Sequence, residues 1–205
     1  MTTPEIMRNH WWWRPGWEPG RRFYTWHLTF KGQDDVHRLA AAYRAGLAGV
    51  DGLTLIPDEW LHLTMQGINF VGEVDEQVVQ QVVEAARVRL AAVPAFDVTI
   101  GPAILDPEAI LLNVATDGPV RAVRDAIRAG IGDVLGEVPE KAGGFTPHVS
   151  VAYSAGDGPA APIAAALDGL HVQPATARIT SAELIVLHRD NYMYEWESFA
   201  RVPLG

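Results

Sequence analysis

The chain has 205 residues, 48 % of them hydrophobic and 20 % charged, a composition that excludes a disordered protein. Its formal net charge of −9 argues against extended nucleic-acid wrapping, which needs dense Lys and Arg along a surface. There is no cysteine, which excludes disulfides and thiolate metal sites, and no apolar run long enough to span a membrane.

The first 20 residues, called the N-terminal arm below, are rich in Trp, Pro and Gly. Their Pro and Gly content excludes a long helix. The four indoles either pack on the domain surface, or one of them lines a ligand cleft and stacks on a base. A Glu stands early in the arm and no apolar stretch follows it, so we expect no signal peptide and a cytoplasmic protein. The four indoles belong to Trp11, Trp12, Trp13 and Trp17.

The first half of the chain alternates strand and helix patterns. Residues 22–30 carry bulky apolar groups on both faces, which predicts a central strand buried on both sides. Asp34 or Asp35 is expected to cap a helix that runs to about Gly49. A short strand at 53–56, a strand at 60–70 and a helix at 74–90 follow by the same criteria.

The second half has more strands than helices. Alternation predicts strands at 96–100 and 110–115, and a turn at Asp106-Pro107 between them. The remaining predicted elements are a helix at 120–135, a glycine-containing loop at 143–147, a strand at 148–153, a loop at 155–161, a short helix at 162–170, and two closing strands at 178–187 and 194–202 joined by a turn at 189–191.

This order of elements predicts the α+β class, rich in antiparallel sheet and with flanking helices, and not regular βαβ winding. We expect a single domain over 1–205. Each half of the sequence holds strands, a helix and one histidine-bearing strand, so the domain is expected to have two similar lobes, with motif strands at 61–65 and 147–151.

The motif strands share one pattern of apolar, His and hydroxyl residues. In Leu61-His62-Leu63-Thr64-Met65, period-two alternation places His62 and Thr64 on one face and the apolar residues on the other. Pro147-His148-Val149-Ser150-Val151 repeats the arrangement. One strand histidine is usually a core residue. Two in the same setting favour an acid–base pair, since imidazoles titrate near neutral pH, with hydroxyls to hold phosphoryl charge.

LHLTM and PHVSV resemble the paired HxT motifs of the 2H phosphoesterase superfamily, in particular its 2′-5′ RNA ligase-like branch. The similarity extends to the opening strand, the first helix, HLTMQG with an acidic turn after it, and FTPHVSVAY. It implies a bilobal fold in which each lobe gives one motif strand to a central cleft. It also implies action on 2′,3′-cyclic phosphates or 2′-5′ phosphodiester bonds of nucleotides or RNA ends, without a metal or other cofactor.

The resemblance also implies roles for the four motif residues. We expect His148 to act as base and His62 as acid when a cyclic phosphate is hydrolysed, with the roles reversed for the back reaction. Thr64 and Ser150 are expected to bind the non-bridging phosphate oxygens. Ser150 stands where many members have Thr, which keeps the hydroxyl.

Three alternatives stay open at this point. The sequence does not decide between hydrolysis and ligation, which use the same acid–base pair, nor does it indicate an oligomeric state. The chain could instead be a binding module that keeps the cleft for a nucleotide or RNA end without turnover. The histidines could also be purely structural, in which case they would lie far apart.

Other residues are weaker candidates. His27 and Thr29 match the motif a third time. His27 is expected to be a core residue or a cleft wall, with a substrate contact and a catalytic role as the alternatives. Four further histidines without a paired hydroxyl are expected at the surface. Arg22 and Arg189 are candidates for neutralising a phosphate, but both are expected to be solvated. Each aromatic candidate for contact with a base is otherwise expected to be an ordinary core residue. These candidates are Tyr24, Trp26, Phe145, Tyr153 and Tyr194, and the four histidines are His10, His37, His171 and His188. No zinc-binding motif is present, so no metal is expected.

Overall fold

The computed structural model of the protein describes residues 4–114 and 118–205 and has the predicted α+β architecture. Two antiparallel sheets form its centre, with helices packed against them. In chain order the elements are β1 (Ile6–Met7), β2 (Phe23–Thr29), α1 (Asp34–Leu47), β3 (Leu53–Leu55), β4 (His62–Phe70), α2 (Glu76–Leu90), β5 (Phe96–Asp106), β6 (Ala109–Val114), α3 (Pro119–Leu135), β7 (His148–Ser154), β8 (Gly158–Pro159), α4 (Ala161–Asp168), β9 (Ala175–Ile179), β10 (Ser181–His188) and β11 (Glu195–Pro203).

The first sheet has four strands in the order β11-β10-β2-β4. Strand β2 lies between β10 and β4, and its residues Tyr24 to Leu28 are buried, which confirms the prediction of a central strand. Its bulky side chains fill both faces of the sheet, one toward the helices and one toward the second sheet. The first histidine motif lies on β4, at the edge of this sheet.

The second sheet has five strands in the order β3-β7-β6-β5-β9. The second histidine motif lies on β7, between β3 and β6. Strands β4 and β7 are in contact, so the sheets meet where the two motifs lie. A separate two-stranded ribbon, β1 with β8, ties the N-terminal arm to the loop after β7.

The chain passes repeatedly between the two sheets. Helices α2 and α3 pack on the first sheet, while α1 and α4 pack on the second. Helix α1 therefore leaves the first sheet at β2 and crosses to the second, and α3 crosses in the opposite direction after β6. The expectation that each half of the sequence forms one lobe is wrong, because both sheets contain strands from both halves.

Some element boundaries differ from those predicted. Helix α1 is preceded by Gln33, so Asp34 and Asp35 lie in its first turn and do not cap it. Helix α2 begins at Glu76 because the carboxylate of Asp75 accepts a hydrogen bond from the Gln77 N–H. The strand predicted at 178–187 is two strands: β9 ends at Ile179 in the second sheet and β10 begins at Ser181 in the first. Ala115, predicted to end a strand, lies outside the described residues.

The core is one continuous cluster of apolar side chains that includes residues from both sheets and all four helices. In the ranges that the structure describes, none of those helices combines the length and the apolar character that crossing a lipid bilayer requires.

Candidate active site

The two histidine motifs meet at one cavity of about 480 Å³ between the sheets. Strand β4 contributes His62 and Thr64 to its lining, and β7 contributes His148 and Ser150. The apolar neighbours of these residues, such as Leu63 and Val149, are buried on the opposite faces of their strands. The alternation read from the sequence thus produces a cavity with polar groups from two sheets.

The two imidazoles are held in the same way. The Nδ1 atom of His62 lies 2.8 Å from the carbonyl oxygen of Trp60, and that of His148 lies 2.8 Å from the carbonyl oxygen of Thr146. A carbonyl only accepts hydrogen bonds, so each Nδ1 carries the proton in the neutral ring. Within 4–114 and 118–205, neither Nε2 has a hydrogen-bond partner, so two basic nitrogens remain available to a ligand.

Aromatic rings enclose His62. Its ring stacks on that of His27 at a centroid distance of 4.2 Å. The Trp196 indole lies perpendicular to it, at a centroid distance of 5.2 Å. Trp196 in turn packs on Trp60, whose carbonyl holds the His62 ring. Burial lowers the pKa of His62 to about 4, with a smaller contribution from nearby His148. The free protein therefore holds His62 neutral at pH 7.

His27 forms a wall of the cavity behind the first motif. It lies opposite Thr64 in the strand register, and its Nε2 is 3.4 Å from the Thr64 hydroxyl oxygen. Burial lowers the pKa of His27 well below the ordinary value. A neutral His27 can therefore orient the Thr64 hydroxyl while adding no charge to the cavity.

The aromatic candidates from the sequence divide into two groups. Tyr153 and Tyr194 line the cavity. Tyr24 and Trp26 do not, because strand alternation turns them to the opposite face of β2, where both are buried. Phe145 does not line it either, since its ring packs against the guanidinium of Arg124 at 4.5 Å. These three positions are corrections to the expected base-contacting set.

Part of the N-terminal arm enters the cavity. The sequence suggested a place in the cleft only for one of the arm's four indoles. His10, Arg14 and Trp17 line it. The expectation of His10 at the surface is wrong: it is 9 % exposed, stacks on Tyr153 at 4.2 Å, and its Nε2 lies 3.2 Å from the Tyr194 hydroxyl. The only sequence signal for this burial was its position directly before three tryptophans.

The two arginines that were expected to be solvated behave differently. Arg22 makes a salt bridge with Asp190 at 2.8 Å near the surface. Arg189 is only 3 % exposed, which contradicts the expectation. Its guanidinium lies 5.3–5.9 Å from the rings of the arm's Trp11, Trp13 and Trp17 and 5.6 Å from that of Tyr194, and it donates to the His10 carbonyl at 3.1 Å. The aromatic faces around the Arg189 guanidinium offset the free-energy cost of burying its charge.

Arg124 of α3, which the sequence did not single out, joins the two motif strands. It donates to the carbonyl of Met65 on β4 at 2.9 Å and to that of Ala142, in the loop before β7, also at 2.9 Å. It is buried, and a further bond reaches the carbonyl of Lys141 at 3.3 Å. One side chain thus fixes the position of both histidine segments relative to α3.

Carboxylates also face the cavity, at two places. At one, Glu140 accepts from the Gln66 amide at 3.1 Å. At the other, Glu108 accepts from Arg14 at 2.6 Å, and Asp106 accepts from the Glu108 backbone N–H at 2.9 Å. Among the residues that the structure describes, no group of three or more His, Cys, Asp or Glu side chains is arranged to hold a metal ion.

The buried histidines make the fold sensitive to acid. Burial lowers the pKa of His62 to about 4 and that of His10 to about 3, from an ordinary 6.5. Below pH 6.5 the unfolded chain takes up protons that the folded chain does not, so stability falls as pH falls toward 4. Each of these two histidines should lower the free energy of unfolding by about 2 kcal/mol at pH 5 relative to pH 8.

Thermal melts between pH 8 and pH 4.5 measure this effect. The melting temperature should fall through the window, and His10→Gln should reduce the slope. The matched control His171→Gln, at an exposed position, should leave it as in the wild type. A melting temperature that is flat from pH 8 to pH 5 would contradict the buried neutral state of these rings.

Comparison with known proteins places the chain in a family. Residues 32–191 match the family described as the 2′-5′ RNA ligase superfamily. None of the curated protein sequences searched matches the chain closely enough to count as a relative.

Solved structures show the same fold at low sequence identity. TT0787 of Thermus thermophilus is 18 % identical with a TM-score of 0.63, over 90 % of this chain and 97 % of that one. E. coli LigT in complex with 3′-AMP is 12 % identical with a TM-score of 0.66, over 90 % of this chain and 98 % of that one. A conserved protein of unknown function from Agrobacterium tumefaciens is 14 % identical with a TM-score of 0.53, over 86 % of this chain and 84 % of that one.

Proposed function

Because the chain belongs to the 2′-5′ RNA ligase superfamily, we propose that it is a metal-independent phosphoesterase acting on 2′,3′-cyclic phosphates or 2′-5′ bonds of nucleotides or RNA ends. One observation carries the proposal: two His–hydroxyl pairs from different sheets line one cavity, each imidazole with its Nδ1 fixed by a backbone carbonyl. E. coli LigT has been crystallised with 3′-AMP, ATP and NADP⁺, which supports a nucleotide ligand for this cavity.

The burial of His62 favours a different division of roles from that expected on the sequence. A ring that is neutral at pH 7 is ready to accept a proton, so we assign His62 as the general base and His148 as the general acid. In hydrolysis, His62 Nε2 takes a proton from water as its oxygen bonds to phosphorus. The bond from phosphorus to one ribose oxygen breaks, and His148, as the acid, gives that oxygen its proton.

The hydroxyls of Thr64 and Ser150 lie beside the two imidazoles and are assigned to the non-bridging phosphate oxygens. Thr64 is exposed to the open part of the cavity, where a phosphate can reach it, and His27 fixes its hydroxyl from behind. Hydrogen bonds to these oxygens strengthen as negative charge develops on them, which lowers the barrier. The two histidines and two hydroxyls can perform every proton transfer of this reaction.

Turnover of nucleoside 2′,3′-cyclic phosphates tests the proposal directly. We expect conversion to a single nucleoside monophosphate isomer, with the same rate in buffer containing EDTA as in buffer without it, because the imidazoles supply both proton transfers. Chromatography of the products identifies the isomer and thus the ribose oxygen that leaves. A 2′-5′-linked dinucleotide serves as the second substrate.

Two results would change this conclusion. A rate that EDTA abolishes and added divalent cations restore would contradict the metal-independent mechanism. Tight binding of cyclic nucleotides in calorimetry, with no product from either substrate, would show instead a binding module that uses the same cleft.

A further inference from the structure

The N-terminal arm crosses one end of the cleft from one sheet to the other. Its first part lies on the side of the second sheet, where the Arg8 N–H donates to the carbonyl of Pro107 at 2.7 Å and the His10 N–H to that of Ser154 at 2.9 Å. Its last part lies on the first sheet, where Trp17 packs on Phe70 at 5.1 Å. The arm therefore closes that end of the cavity.

Close packing fixes the arm along this path. A Cβ atom added at Gly16 would lie 2.7 Å from the Phe70 ring, so only glycine allows the arm to approach the first sheet this closely. Farther along, the Gly20 N–H donates to the carboxylate of Asp190 at 2.9 Å. Arg189, on the turn between β10 and β11, is held under the arm's indoles.

Arg14 is the arm residue that brings charge into the cavity. It is the only Lys or Arg among the described residues that line the cavity. Of its five N–H donors, one binds Glu108, at 2.6 Å, and the buried Nε has no partner. The Trp12 indole N–H also donates to Glu108, at 3.2 Å, so the negative charge of this carboxylate is shared between Arg14 and Trp12. The guanidinium also lies over the Trp12 ring at 5.0 Å, and since Nε is buried, the N–H groups left for a second anion are those of the terminal nitrogens that do not bind Glu108.

Arg14 shares the cavity lining with the carboxylates of Asp106, Glu108 and Glu140, and of these it binds Glu108. Arg14 and the nearby Arg189 are both positive, whereas Glu108 is the carboxylate in contact with Arg14. His10, whose Nδ1 lies 3.4 Å from Glu108, is neutral at pH 7 because burial lowers its pKa to about 3, so this contact is not an ion pair. The contact with His10 therefore leaves the charges of Glu108 and Arg14 unchanged.

From this arrangement we propose that the arm builds a second phosphate subsite, with Arg14 as its ligand, and that the substrates are small nucleotides carrying a 5′-phosphate. The proposal rests on the proposed function, which places the reacting 2′,3′-phosphate between His62 and His148. The 5′-phosphate then extends toward the arm, and the nucleoside lies along Trp17 and Tyr194. A cavity of about 480 Å³ is large enough for a ligand of this size.

Equilibrium binding tests the subsite independently of turnover. Adenosine 3′-monophosphate and adenosine 3′,5′-bisphosphate differ only in the 5′-phosphate, and neither contains a phosphodiester bond. Calorimetry on the wild type should show about tenfold or more tighter binding of the bisphosphate, as a charge-assisted bond to a phosphate provides. In Arg14→Gln the ratio of the two affinities should fall to near one.

The matched control is Arg8→Gln, which removes the same charge from an exposed part of the same arm and should keep the wild-type ratio. Arg14→Lys should keep part of the preference, since it retains the charge without the fork. Equal affinities for the two ligands in the wild type, or a preference that survives in Arg14→Gln, would overturn the subsite and leave the proposed function standing. Failure of both ligands to bind would overturn the subsite, while turnover of nucleoside 2′,3′-cyclic phosphates would still decide the proposed function.

Discussion

Replacing His62 or His148 with alanine is expected to lower kcat on a 2′,3′-cyclic nucleotide by about 10²–10⁴-fold. Each substitution removes one of the two proton transfers, and the single free Nε2 that remains cannot perform both. The double variant should be scarcely slower than either single variant, since residues that act as a unit are not additive.

The exposed His171 provides the control for these substitutions. His171→Ala should keep wild-type turnover, and melting curves of all variants should show that the loss of rate does not come from unfolding. Deleting the His62 side chain also removes the stacking partner of His27, so His62→Asn, which keeps a polar group, is the second test. Near-normal turnover in a folded His148→Ala variant would exclude the acid–base pair.

Replacing Arg124 with methionine is expected to cost about 2–4 kcal/mol of unfolding free energy. The substitution leaves the carbonyls of Met65 and Ala142 without the donor that binds each at 2.9 Å, and an unsatisfied buried acceptor costs about 1–3 kcal/mol. Turnover should fall as well, because the loop before His148 loses its attachment to the strand that carries His62. Urea unfolding and steady-state kinetics measure the two effects.

Arg121→Met is the matched control, at an exposed position one turn earlier on the same helix. It should change stability little. Arg124→Lys should recover part of the stability but little of the rate, since an ammonium cannot reach two carbonyls in the planar geometry of a guanidinium. Unfolding of Arg124→Met at the same urea concentration as the wild type would contradict the conclusion that Arg124 attaches the two segments to each other.

Local patterns were sufficient to predict most elements. Period-two alternation identified β2, β4 and β7, and helical spacing identified α2 and α3. Alternation also contained the information that Tyr24 and Trp26 face away from the cavity, since His27 is on the opposite face of the same strand. The alternation alone therefore predicts that Tyr24 and Trp26 do not contact a base in the cavity.

Long-range packing determined what the sequence did not show. The pattern of alternation runs on through Thr180, and only the pairing partners show that β9 and β10 belong to different sheets. The arm has no periodicity, so the burial of His10 follows from contacts with Tyr153 and Tyr194, which are distant in sequence. Arg124 looks like an ordinary helix arginine until the strand and loop beside it are in place.

The repeated crossing of the chain between the sheets has a consequence for biosynthesis. Strands β10 and β11 follow both histidine motifs in the chain, and both belong to the sheet that carries His62. Tyr194 and Trp196, which pack against that imidazole, are synthesised after both histidine motifs. A nascent chain on the ribosome therefore holds both histidine motifs well before it can assemble the pocket around them. The proposed site is complete only once β11 is in place, and a chain that ends before β11 carries both motifs without the aromatic side chains around His62.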